Sequence, residues 1–417
     1  MIRRSRTALI ATVTLVLCAC GTTNHSSRRS APLRAEKIGT LAKPSASEES
    51  RVQSRFRSRS TALFASVLDQ LARHEFVAGV WHPGYVVWRT GTELGTVAAL
   101  VSRAVSGGPD RHWAIQTFDT ALVDHQEPDG AFGPPVTGEG ISTGAELVSL
   151  GTAFLVLRPV LDRAQRTRWV TALDRAGRWM VKSIYEYVNG NINLQRTLGL
   201  YLAWRATGDR ALFAAYNRSW AFTLQPGPAW PGFGLIYTTT PTKRRGVGGA
   251  AYLAEKGAGS PGFDTHYTIL QADYDAEMYA VSHAPRALRL LNLLVDQLLT
   301  RTNIHTLTIQ TGGGSRHPTP NVSGPFVSAS LPVLAFADRP DLLPLVRKQL
   351  SLAETDFRYY TRVNNDQDQI IGNYAMALLA VTNLGEPPSP VKCAKPESRA
   401  KAQCRRPRGH GHGTHKS

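Results

Sequence analysis

The sequence predicts an all-α protein, a body of paired helices between two basic, unstructured ends. Three observations predict it. Across residues 59–385 apolar side chains recur at spacings of three and four, and long alternations of β-branched residues are absent. The segments marked out this way are joined by connections that alternate between very short and long. At both ends the composition changes: residues 21–58 are rich in Ser, Arg and Ala, and residues 386–417 open on Glu386-Pro387-Pro388-Ser389-Pro390. Neither end holds enough large apolar residues to build a core.

Taken in order, the periodic segments are 60–74, 93–106, 110–126, 142–157, 161–184, 191–207, 210–224, 264–281, 284–301, 325–337, 340–356 and 369–384. Asp209 and Asp264 suit N-caps, and Pro109, Pro159, Pro285 and Pro340 stand at starts or breaks. The connections 107–109, 158–160, 208–209, 282–283 and 338–339 are two or three residues long, which forces antiparallel neighbours. The connections 75–92, 127–141, 185–190, 225–263, 302–324 and 357–368 therefore fall together at the opposite end. Long loops gathered over a rigid scaffold are where binding and chemistry usually lie.

Six helical pairs with long loops on one face resemble an (α/α)6 toroid, the fold of many polysaccharide lyases and glycoside hydrolases. Three phrases carry the likeness. Gln126-Glu127-Pro128-Asp129-Gly130-Ala131-Phe132-Gly133 is similar to a turn that follows an outer helix in such enzymes. Asn191-Ile192-Asn193-Leu194-Gln195-Arg196 resembles an inner helix opened by asparagine. The stretches 231–237 and 261–267 resemble a glycine-bounded hairpin leading into the next inner helix, as in heparinase-like and alginate-lyase-like toroid domains. A fold alone does not fix a function.

The N-terminus reads as an export signal over residues 1–19. Arg3, Arg4 and Arg6 precede an apolar run from Ala8 to Leu17, too short to span a bilayer. Leu17-Cys18-Ala19-Cys20-Gly21 resembles the bacterial lipobox. The resemblance implies cleavage before Cys20, a lipid on its thiol, and a protein held by that lipid to the outer face of the membrane. Residues 20–58 then form a tether with a reach of about 30–40 Å. Cys393 and Cys404 are left as a pair in the tail, and an oxidising compartment favours a disulfide between them.

The net charge of +17 sits at the ends. Residues 1–59 hold 12 Lys and Arg against 3 acids, and residues 386–417 hold 8 against 2, which leaves +2 for the body. That distribution argues against a nucleic-acid-binding domain and suits ends lying near anionic lipid or wall polymer. The body has no metal-spaced His or Cys cluster, no phosphate-binding loop and no nucleophile elbow, so no cofactor or metal is expected.

If the second helix of each long-loop connection is an inner one, its N-terminus points at the loop face. Glu139, Asn191, Asn193, Asp264, His266, Tyr267 and Asn373 would then converge on one cavity. Trp81, Tyr85, Trp88, Asp129, Trp230, Arg316 and His317 lie on nearby loops, where aromatic rings offer flat faces to sugars. Three functions fit, all with a polysaccharide or wall glycan as partner. In lyase-like β-elimination of an acidic glycan, Asn191 or Asn193 with Arg196 neutralises the uronate, and the toroid-lyase resemblance makes His266 or Tyr267 the base and acid. In hydrolysis, two carboxylates among Asp129, Glu139 and Asp264 do the work. The third is non-catalytic glycan binding or envelope assembly. His266 and Tyr267 are adjacent in sequence and diverge by about 100° on a helix. His266, Leu270, Asp273 and Glu277 share one stripe; Asp264, Tyr267, Gln271 and Tyr274 share another.

Overall fold

A computed structural model describes residues 126–132, 139–182, 189–225, 234–238, 249–255, 262–306, 308–310, 313–315 and 322–325, with short pieces at 76–77, 80–81, 112–123 and 339–345. All of these belong to one compact unit, Ile38–Ser417. Six helices dominate: α1 (Glu139–Leu157), α2 (Arg163–Lys182), α3 (Gly190–Thr207), α4 (Arg210–Thr223), α5 (Thr265–Ser282) and α6 (Pro285–Leu299). They form three antiparallel hairpins, α1–α2, α3–α4 and α5–α6, and the first helices pack side by side, α1 on α3 and α3 on α5. The all-α class and the hairpin alternation expected from the sequence are what these residues show. The expected helices 60–74, 93–106, 325–337 and 369–384 lie outside the described residues; of 110–126 and 340–356 only short helical pieces are described.

The short turns are built from local chemistry. Asp162 and Gln165 cap α2 reciprocally: the Gln165 N–H donates to Asp162 Oδ1 at 2.8 Å and the Asp162 N–H to Gln165 Oε1 at 3.2 Å. Helix α3 ends at Gly208 in the left-handed region (φ 74°), whose N–H bonds the Trp204 carbonyl. Asp209 then caps α4 through the Ala211 N–H at 2.7 Å and also accepts from Arg178 of α2 at 2.6 Å. Helix α5 ends the same way on His283 (φ 50°), and Pro285 opens α6 at a position where its missing N–H costs nothing.

Inner and outer helices differ in how they meet the core. On α2 and α6 the buried residues form one stripe, such as Trp169, Leu173, Ala176 and Met180, while the other face is wet. On α3 and α5 burial runs around most of the helix. Glycines let the inner helices approach closely. A Cβ on Gly151 of α1 would lie 2.6 Å from Cβ of Leu202 on α3, and one on Gly199 of α3 would lie 3.0 Å from Leu147 of α1.

Among the described residues seven short strands accompany the helices: β1 (Phe76–Val77), β2 (Val80–Trp81), β3 (Leu235–Tyr237), β4 (Ala251–Leu253), β5 (Thr302–Asn303), β6 (Thr308–Gln310) and β7 (Val322–Pro325). β1 pairs with β2, β3 with β4, and β6 lies between β5 and β7, all antiparallel. The β3–β4 hairpin is the glycine-bounded hairpin expected ahead of α5. The three-stranded sheet after α6 was not expected from the periodicity, because each strand spans four residues at most. No described helix is long and apolar enough to cross a membrane.

Candidate active site at the long-loop end

Each inner helix begins at the end where the long connections enter. The first turn of α3 is held in an unusual way. Its N-cap, Asn189, makes no side-chain capping bond. Glu255, just beyond β4, supplies the carboxylate instead, and Glu255 Oε1 accepts the Asn191 backbone N–H at 2.9 Å. The same oxygen accepts Gln271 Nε2 from α5 at 2.7 Å, and Gln271 also bonds both backbone groups of Leu253. Glu255 is fully buried. A buried carboxylate at a helix N-terminus is favoured by the free N–H groups and the helix dipole. Gly190 sits so tightly under β4 that a Cβ there would come 2.2 Å from Leu253 Cβ.

The start of α5 is more conventional. Asp264, fully buried, accepts the Tyr267 N–H at 3.2 Å as an N-cap. The 313–315 loop closes over it: the Ser315 N–H bonds the Phe263 carbonyl at 2.6 Å, and a Cβ on Gly314 would lie 2.7 Å from Asp264 Oδ2. In the first turn of α5 His266 and Tyr267 are half-buried, and their rings meet edge to face with centroids 5.7 Å apart. Adjacent helical side chains diverge at Cβ, yet these two rings are long enough to meet.

The stripe below His266 is acidic. Asp273 and Glu277 are buried, and Glu277 Oε1 accepts the Thr152 hydroxyl of α1 at 2.5 Å. That bond places the stripe on the side enclosed by α1, α3 and α5. Burial pushes the Glu277 carboxyl up to about 7, with the Thr152 bond acting against the rise. Burial, and then the neighbouring Glu277, holds the Asp273 carboxyl well above the usual carboxylate range. Among the described residues neither Asp273 oxygen has a hydrogen-bond partner. Asp275, on the side of α5 toward α6, is likewise raised by burial, against a lowering contribution from the Leu291 backbone.

The remaining predicted residues divide. Asn191 and Gln195, one turn apart, take the enclosed side of α3. Gln195 Nε2 donates to the Tyr274 hydroxyl at 2.8 Å, and Asn191 Oδ1 is buried with no partner among the described residues. Asn193 lies one turn before Thr197, whose hydroxyl is 2.7 Å from that of Ser219 on α4, so Asn193 takes the outer side. Arg196 also turns outward. Its guanidinium is lowered by burial and by Arg218 of α4. Asn193, expected to join one cavity, and Arg196, expected to help neutralise the uronate, instead face the outer layer, because positions 193 and 196 lie about 160° and about 140° from position 191 around the helix.

Asp129 is a turn residue. Its Oδ1 accepts the Ala131 N–H at 3.0 Å and its Oδ2 accepts Trp179 Nε1 at 2.9 Å. Gly130 beside it adopts φ 103° and packs on the backbone of Arg175, so the whole turn leans on outer helix α2. Glu139 is the first residue of α1, three residues before the expected start. Trp81 lies in β2. The side chains of Glu139 and Trp81, and residues Tyr85, Trp88, Trp230, Arg316, His317, Asn373, Cys20, Cys393 and Cys404, lie outside what the structure describes. Among the described residues no three His, Cys, Asp or Glu side chains gather where they could hold a metal ion.

No protein-family model matches the chain, and no curated protein matches it. Solved structures similar to it include an unsaturated glucuronyl hydrolase mutant from Streptococcus agalactiae, at 12% identity over 84% of each chain with a TM-score of 0.40. Another is a glycoside hydrolase family 76 mannosidase from Bacteroides thetaiotaomicron, at 8% identity over 78% of this chain and 97% of the other, with a TM-score of 0.41. Both likenesses are remote, and neither carries residue roles to this chain.

Proposed function

We propose that this protein is a carbohydrate-active enzyme of the bacterial envelope that cleaves an acidic glycan by β-elimination at the long-loop end. The observation that carries this reading is the His266–Tyr267 pair: two proton-transferring groups in ring contact, half-exposed, in the first turn of an inner helix. In the reaction His266 takes the proton from C5 of a uronate. The C4–O bond breaks as the C4–C5 double bond forms, and the Tyr267 hydroxyl gives its proton to the leaving oxygen. The Asn191 side-chain amide, on the enclosed side of α3, donates to the uronate carboxylate as C5 loses its proton. With Arg196 turned outward, no arginine from α3 shares that task. The expected lipid on Cys20 would hold the enzyme near the membrane, where basic ends are attracted to anionic polymer.

Incubation of the protein with a panel of uronate polymers, followed by ultraviolet absorbance of the unsaturated product, tests the reading. His266→Ala and Tyr267→Phe should each lower the rate by about 10²–10⁴-fold. Full activity in both variants would remove the pair from the mechanism.

Hydrolysis is the second reading, favoured by one observation. Burial raises the Glu277 carboxyl to about 7 and holds the Asp273 carboxyl well above the usual carboxylate range, the direction a general acid needs. Of the acids expected to pair, Asp129, Glu139 and Asp264, the first is a turn residue, the last is a cap, and the Glu139 side chain lies outside the described residues. Cleavage without an unsaturated product, lost in Asp273→Asn and kept in His266→Ala, would select hydrolysis.

A further inference from the structure

At the opposite end of the same helices lies a groove that the proposed reaction does not use. It opens between the α3–α4 turn and the α5–α6 turn and has a volume of about 560 Å³. That size is in the range of small-ligand sites. One wall is a run of rings: Tyr201 to Trp204 at 5.4 Å, Trp204 to Phe213 at 4.5 Å, and Tyr201 to Tyr216 at 5.1 Å between centroids. Phe213 is 39% exposed although the rings of Trp204 and Tyr216 lie against it. The other wall carries Arg286 and Arg289. Arg286 is held in place. Its guanidinium lies 4.7 Å from the Tyr216 centroid and 5.1 Å from that of Trp220, and its Nη2 donates to Asn217 Oδ1 at 3.1 Å. Among the described residues neither Arg286 nor Arg289 has a carboxylate partner, and no acid lines the groove.

From these features we infer a second, non-catalytic binding site for an acidic oligosaccharide in this groove. It rests on the acidic-glycan reading above and extends it. Ring faces stack on the apolar faces of sugars, and a fixed guanidinium fork matches a uronate carboxylate. The groove is shallow and open, which suits a chain lying along it, and its two arginines make that chain an anionic one. From His266 to Ser282 along α5 is about 24 Å. The groove therefore holds polymer well away from the reacting bond, keeping a long substrate attached between turnovers.

The test uses the full chain carrying His266→Ala, so that the probe is not consumed, with tetragalacturonate as the acidic probe and a neutral galactose tetramer as control. Hydrogen exchange should slow across residues 201–216 and 282–289 with the acidic tetramer only. In Arg289→Glu and in Phe213→Ser, both changes at exposed positions, that protection should require at least about tenfold more ligand, a difference of about 1.4 kcal/mol. Thermal melting should be unchanged by Arg289→Glu, so its loss of protection reports binding alone. Absence of protection there at millimolar tetramer, equal protection by the neutral tetramer, or protection indifferent to both substitutions would each overturn the site. So would protection by anionic-lipid vesicles or an acidic peptide in place of the sugar. Protection at the groove with no unsaturated product from the otherwise unsubstituted chain would leave the site standing and sink the elimination reading. Turnover without groove protection would do the reverse.

Discussion

Outer helix α2 and inner helix α5 are close to the same length, 20 and 18 residues, and very different in what they bury. Outer α2 buries Trp169, Ala172, Leu173, Ala176, Gly177, Trp179 and Met180, none of them ionisable. Inner α5 buries Gln271, Asp273, Asp275 and Glu277 among its apolar residues. An outer helix has one dry face and can place its polar residues in water. An inner helix has neighbours on nearly every side, so any polar residue it carries is buried and needs a partner or a proton. The contrast divides labour: apolar burial by the outer layer supports stability, and the inner layer sacrifices some of that stability to hold ionisable groups.

Four experiments can break or sharpen this division. The largest effect should come from the outer layer. Trp169 is fully buried, meets Phe118 edge to face at 5.4 Å and donates Nε1–H to Asp119 at 2.8 Å. Trp169→Ala should cost about 3–5 kcal/mol in denaturant unfolding. A loss below about 1 kcal/mol would mean that the outer stripe is not the source of stability.

Next comes the acidic stripe. The folded protein keeps a proton on Glu277 up to about pH 7, whereas the unfolded chain releases it near 4.5. A raised carboxyl favours the folded state at low pH. Its contribution is fully present below about 4.5 and is lost as pH rises through about 7. The change amounts to roughly 3 kcal/mol at about 1.4 kcal/mol per pH unit. Asp273 and Asp275 carry the same sign. Glu277→Gln should flatten the fall in stability between about pH 4.5 and 7; an unchanged slope would show that Glu277 ionises freely in the fold.

The third effect tests the inner–inner contact. Gly151→Ala would push a methyl to 2.6 Å from Leu202 Cβ. Overpacking of this kind should cost about 1–3 kcal/mol, read as a lower melting temperature, with little effect if α1 and α3 can slide apart. The smallest effect has the opposite sign. His283 holds a left-handed conformation with φ 50°. His283→Gly should stabilise by up to about 1 kcal/mol, less whatever its ring contact with Tyr279 contributes.

Much of the helical framework was legible because its boundaries are written locally. Asp209 and Pro285 name the starts of α4 and α6 within a residue, and Asp129-Gly130 announces a turn. The site was less legible for three physical reasons. Helical facing separates Asn191 from Asn193 and Arg196, and residue type alone cannot show it; the 100° step could have done so. Glu255 caps a helix that begins 65 residues earlier in the chain, and nothing in its own neighbourhood signals that duty. Asp273 and Glu277 were visible as a stripe with His266, but whether a stripe of acids faces water or a packed interior is decided by neighbours that local periodicity does not reveal.

The Glu255 carboxylate joins three pieces of chain through one oxygen: the end of the β3–β4 hairpin, the first turn of α3, and Gln271 of α5. It works as a latch. Moving any one of the three pieces would strip the carboxylate from the other two, so the hairpin, the start of α3 and α5 are tied to move as one.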